Sequence, residues 1–123
     1  GDVYKRQALE NLQKIIANKQ TLFQRAFRTD STEIEITEEK ISFLWFPYTA
    51  DSDEIVAYTQ FITRLCDMAK DAKRVSSKPT ETDNDKYAFR CFMLRLGFIG
   101  NEYKTARKIL LRTSWDIRIY RLQ

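Results

Sequence analysis

Hydrophobic periodicity changes once along this chain, and that change limits the folds open to it. Glu33-Ile34-Glu35-Ile36-Thr37 alternates strictly, and so does one side of Ile41-Ser42-Phe43-Leu44-Trp45. Period two turns successive side chains to opposite faces, the pattern of a strand with one buried side. Thr37-Glu38-Glu39-Lys40 joins the two runs as a hairpin, without the Asn-Gly pair of the tightest turns. Pro47 is expected to stop the second strand. A two-stranded ribbon is marginal alone, so a helix must cover its apolar face.

The flanking segments recur at helical spacing. Residues 8–28 place Leu9, Leu12, Ile15, Ile16, Leu22, Phe23, Ala26 and Phe27 on one face, with Asn11, Lys14, Asn18 and Gln24 opposite. A second helix opens at Asp51-Ser52-Asp53-Glu54, where a capping side chain and acids suit the first turn. Its stripe is Ile55, Tyr58, Ile62, Leu65, Ala69 and Ala72, and it runs to about residue 74. The polar stretch 75–83 is a loop. A third helix starts at an Asn84 or Asp83 cap and is apolar almost all round, which predicts a central position. Gly97 is its left-handed stop, with Phe98 folding back over the last turn. A fourth helix runs from Glu102 to about Arg112. The expected fold is α+β and mainly helical: four helices and one antiparallel hairpin, in the order α-β-β-α-α-α.

Composition narrows the chemistry. The chain has 123 residues and no histidine, which removes His-based triads and His-ligated metals. Its three glycines are Gly1, Gly97 and Gly100, too few for a phosphate-cradling loop. No apolar run approaches the roughly 20 residues of a membrane span. Cys66 and Cys91 sit within apolar helical patterns and read as small packed thiols of a cytoplasmic protein. No metal or cofactor is expected. Net charge is +4, unevenly spread. Residues 30–54 carry eight acids and one base, while residues 84–123 carry nine bases and three acids.

Four groups of residues are candidates for function. Glu33, Glu35, Glu38 and Glu39 would serve acid–base or cation chemistry only if they converged; alternation instead turns Glu33 and Glu35 to water. Either cysteine would need a base to become a nucleophile, so catalysis is not expected. The aromatic strand end, Trp45, Phe46 and Tyr48, would suit a partner groove, against simple core and rim packing. The helix–Gly97–helix outline with a basic outer face resembles a helix-turn-helix. In that reading Asn101, Lys104, Thr105, Arg107, Lys108 and Arg112 would face nucleic acid. The plainer reading is a solvated basic face.

The strings DNDKYAFRCFMLRLGFIGNEYKTARKILLR, RTDSTEIEITEEKISFLWFPYTADSDEI and KRVSSKP resemble an uncharacterised bacterial family labelled virulence-related protein. Its members occur beside genes of conjugative and other mobile elements. The resemblance covers about residues 9–112 and implies the C-terminal part of a longer protein. It departs at Thr113, where the family tends toward a Gly/Ser-containing turn. Residues 113–123 are therefore read as a non-native or disordered tail. Residues 1–7 match what a transposase sequencing adapter would encode, which leaves 8–112 as a single α+β domain. The expected function is a non-catalytic accessory or interaction domain. Its partner would be another protein, the N-terminal region of the same protein, or DNA, and not a membrane. The alternatives are a nucleic-acid-binding module and a fragment of a larger enzyme.

Overall fold

The first expected helix is two helices. In the computed structural model, which describes residues 2–112, α1 spans Asp2–Asn18 and α2 spans Gln20–Phe27. Lys19 between them leaves helical geometry at φ −105°, ψ 13°. The cause lies far away in sequence. The Asn18 carbonyl accepts the Thr80 N–H at 3.2 Å. Its side chain donates to the Lys78 carbonyl at 2.7 Å and accepts the Thr80 hydroxyl at 3.1 Å. The loop after the next long helix thus holds the end of α1. Helix α1 also begins at Asp2 rather than at residue 8, and the Tyr4 hydroxyl donates to the Lys70 carbonyl.

Strands β1 (Ile34–Ile36) and β2 (Ile41–Phe43) pair antiparallel, with Ile34 opposite Phe43, Glu35 opposite Ser42 and Ile36 opposite Ile41. Both are shorter than alternation predicts. β2 ends at Phe43 rather than at Pro47 because the chain turns at Leu44 to bury Trp45. The Trp45 Nε1–H then donates to the Glu33 carbonyl at 2.9 Å, taking the place of a further ladder bond. Leu44 is left exposed by the same turn.

Helix α3 (Ser52–Asp71) follows, then α4 (Asp85–Leu96), a 3-10 turn at Asn101–Tyr103 and α5 (Lys104–Leu110). The fold is mainly helical α+β with one antiparallel hairpin, as expected, with the order α-α-β-β-α-α-α. Local capping follows the sequence. Asp51 accepts the N–H groups of Asp53 and Glu54, and Asn84 accepts that of Tyr87. Gly97 takes φ 104°, its N–H bonds the Leu94 carbonyl and the Phe98 N–H bonds that of Met93. This is a Schellman-type stop, reached without strain because glycine has no Cβ.

The central helix is α3, not α4. It buries Ala57, Phe61, Leu65 and Ala69 at four-residue steps and packs against α1, α4 and α5. The stripe is rotated from the expected one, so Ile55 is exposed. Helix α4 buries Phe89, Phe92, Met93 and Leu96 but leaves Tyr87 and Leu94 in solvent. Its polar interruptions at Lys86, Arg90 and Arg95 mark that outer side. The tail expected at residues 113–123 lies outside the described residues.

Asn11 overturns the expected solvent face of α1, being 2% exposed. Its Nδ2 donates to the carbonyls of Ala69 and Ala72, at 3.0 and 2.9 Å. Those are orphan acceptors at the end of α3, and a side chain from another helix satisfies them. Asn11→Leu should lower unfolding stability by about 1–3 kcal/mol, the cost of stranding buried acceptors. Lys14→Leu, at an exposed position of α1, should stay within about 0.5 kcal/mol. Urea unfolding of the two variants measures the difference.

Candidate functional site

Helix α5 follows α4 across the Gly97 turn and packs chiefly on α3. Two of the six candidate residues are tied to other parts of the chain. Arg107 donates to the carbonyls of Phe98 and Gly100, at 3.1 and 2.8 Å, and so closes the turn before its own helix. Arg112 pairs with Glu54 at 2.9 Å. Asn101, Lys104, Thr105 and Lys108 remain exposed. They amount to a short polar face carrying two lysines.

The aromatic strand end is dismantled in the same way. Trp45 is buried against Phe23, with ring centroids 5.5 Å apart. Phe46 lies edge-on to Phe27 at 4.7 Å and stacks on Tyr58 at 4.8 Å. Both belong to the core and its rim. Tyr48 alone of the three stands in solvent, 97% exposed.

A polar cluster gathers on Glu54, which the sequence reads as a first-turn acid of its helix. Its carboxylate accepts from Thr49 Oγ1 at 3.3 Å, Tyr58 Oη at 3.2 Å and Arg112 at 2.9 Å. Beside it a cavity of about 190 Å³ is lined by Arg28, Pro47 and Ile109, among others. Burial, then the neighbouring Glu54 carboxylate, push the Tyr58 hydroxyl pKa up, with Arg112 opposing. Each donor is spent on one carboxylate, so the cluster ties the end of α5 to the start of α3. The two cysteines are free and half-buried. Burial pushes the Cys66 thiol pKa up, away from reactive thiolate. Among the described residues no group of three or more Cys, Asp or Glu side chains gathers as a metal ion would require.

The hairpin presents an open edge. The Thr37 N–H bonds the Lys40 carbonyl at 2.9 Å, which fixes the phase of the ladder. Bonded pairs alternate from there, so Glu35 faces Ser42 in a bonded pair while Ile34 and Ile36 sit in non-bonded ones. The main-chain N–H and C=O groups of Ile34 and Ile36 therefore point away from β2. Beside Ile34 runs an open groove of about 560 Å³. Residues 30–34 form one wall, and Gln13, Ile16, Ala17 and Gln20 the other, with no β2 residue among them. Asp30 and Glu33 are the charged residues of this groove, and Glu35 is exposed on the same strand. No base lines it. Sequence alternation located the strand and its acids; the phase that decides which edge is free depends on the Thr37–Lys40 bond.

Comparison with protein-family models, with curated proteins and with solved structures finds no match to the chain. No helix of the described residues is long and apolar enough to cross a membrane.

The Glu54 cluster makes a sharp test of these assignments. In Glu54→Gln the Tyr58 pKa should fall back toward its ordinary 10.0, because the carboxylate opposing phenolate formation is gone. The folded state holds the Tyr58 proton more tightly than the unfolded chain does. This stabilising contribution is thus full below about pH 10 and is lost as the pH rises through the folded pKa. NMR titration of the Tyr58 ring in both proteins reads the shift.

Proposed function

We propose that this chain is a non-catalytic interaction domain that takes an extended, cationic segment of a protein partner as a third strand against β1. The observation that carries the reading is the ladder phase, which turns the main-chain groups of Ile34 and Ile36 away from β2, with Ile34 lining an acidic groove. Strand addition supplies affinity through the main chain and selectivity through side chains. Ile16 and Ala17 give the groove an apolar floor, and Asp30, Glu33 and Glu35 select lysine or arginine. The surrounding helices hold the short ribbon in place, which a free hairpin lacks. The resemblance to mobile-element virulence-related proteins is in keeping with an accessory, cytoplasmic role.

Magnitudes set the expected strength. Two residues offer four main-chain groups, each worth about 1 kcal/mol net when paired. That sums to about 4 kcal/mol, which an association cost of about 4 kcal/mol or more consumes, so the groove side chains must supply the net affinity. A short peptide of alternating valine and lysine is the probe, with an alternating valine–glutamate peptide as control. The basic peptide should slow hydrogen exchange at the Ile34 and Ile36 amides, and the acidic one should not. Asp30→Lys with Glu33→Lys should abolish the effect, with urea midpoints confirming that the variant folds. No protection at Ile34 and Ile36, or equal protection by both peptides, overturns the reading.

A further inference from the structure

On the other side of α1 the charge pattern reverses. A cleft of about 280 Å³ lies where the α1–α2 junction, the loop after α3 and the last turn of α4 meet. Lys19, Arg74 and Arg95 line it, with Ser76 beside them and Ile15, Met68, Val75 and Phe92 among its apolar walls. No carboxylate lines it. None of the three cations makes an ion pair among the described residues. Acids are not scarce, since the chain holds 17; they lie elsewhere.

Two of these cations share one aromatic ring. Lys19 Nζ sits 5.6 Å from the centre of the Phe92 ring, and the Arg95 guanidinium 6.0 Å from it. Partial burial, then the positive charge of Arg95, push the Lys19 pKa down. The obvious stabiliser would be helix C-termini, whose carbonyls favour cations. Several of those carbonyls already have donors. Asn18 O takes Thr80, Ala69 O and Ala72 O take Asn11, and Met93 O and Leu94 O take the turn at Gly97. The cleft therefore presents like charges whose repulsion an anion would relieve. Guanidinium forks match phosphate oxygens in geometry, and a lysine adds a point charge. The volume is near the lower bound for small-molecule sites, about 300 Å³.

We propose that this cleft binds a phosphate group, held by Lys19, Arg74 and Arg95 with the Ser76 hydroxyl, while the apolar walls contact the body that carries it. The phosphate could belong to a free nucleotide or to a nucleic-acid strand. The site is separate from the β1 edge, and its test uses different probes and resonances, so either reading can fail alone.

The full chain is titrated with adenosine monophosphate and with a short single-stranded oligonucleotide, followed by NMR. Both probes should shift the Ser76 and Arg95 amides saturably and raise the Lys19 pKa, read from its ε-carbon. Lys19→Gln with Arg95→Gln should weaken binding at least about tenfold, while Lys104→Gln with Lys108→Gln leaves it unchanged. If the oligonucleotide binds more tightly and weakens steeply between about 50 and 200 mM salt, the source is a nucleic-acid strand. Equal affinity for the monophosphate assigns a free nucleotide. Loss of binding with a collapsed urea midpoint would leave folding as the cause, so Arg74→Gln, in the loop after α3, is the second variant and should weaken both probes alone. The proposal is overturned if neither probe binds at low salt, or if binding survives removal of the cleft cations.

Discussion

Phe23 has no solvent exposure, and its ring meets those of Phe27, Trp45, Phe61, Phe89 and Phe92 within 6.4 Å. Those partners come from α2, the turn after β2, α3 and α4. One side chain therefore touches four segments, and Phe27 beside it meets Trp45, Phe61 and Phe89 as well. Tilted and edge-on pairs of this kind add to the gain from area burial, because ring edges meet ring faces. The turn that ends β2 is a consequence, since Trp45 reaches the cluster only if the strand stops at Phe43. The open β1 edge follows in turn, because the ribbon is pinned by its end and not by a third strand.

Charge is distributed around this core in two separate fields. Acids gather beside β1, and bases gather where α1, the post-α3 loop and α4 come together. Among the described residues the ion pairs Arg25–Asp85 and Arg112–Glu54 lie in neither field. Charges that serve the fold are thus spent on joining elements, and the two clefts keep theirs unneutralised. Such fields steer oppositely charged partners to opposite sides of the molecule.

Local signals were legible in the sequence. Asp51, Asn84 and Gly97 cap their helices as their side chains or lack of one dictate, because capping needs only neighbours within four residues. The hairpin was legible for the same reason. Long-range partners were not. Asn11 looked solvent-facing because its acceptors lie 58 and 61 positions away. Arg107 and Arg112 looked like a binding face because nothing in the string shows that a turn carbonyl or Glu54 would claim them. The basic cleft left no pattern at all, since Lys19, Arg74 and Arg95 are scattered across the chain and meet only when three helix ends converge. The aromatic strand end misled for a physical reason: aromatics beside a proline suit both a groove and a core, and here Phe23 and Phe27 draw in Trp45 and Phe46 while Tyr48 stays in solvent.

The clasp between Asn18 and Thr80 has a consequence beyond the break it makes in α1. It divides the stretch between α3 and α4 into two short spans anchored at Thr80. Loop-closure entropy grows only slowly with length, so each span is cheap to close once the anchor is set. In the folded chain only a few residues separate the anchor from Asn84, which caps α4. Residues added before Thr80 would lengthen one span without touching a helix, whereas residues added after it would lengthen the span that leads into α4.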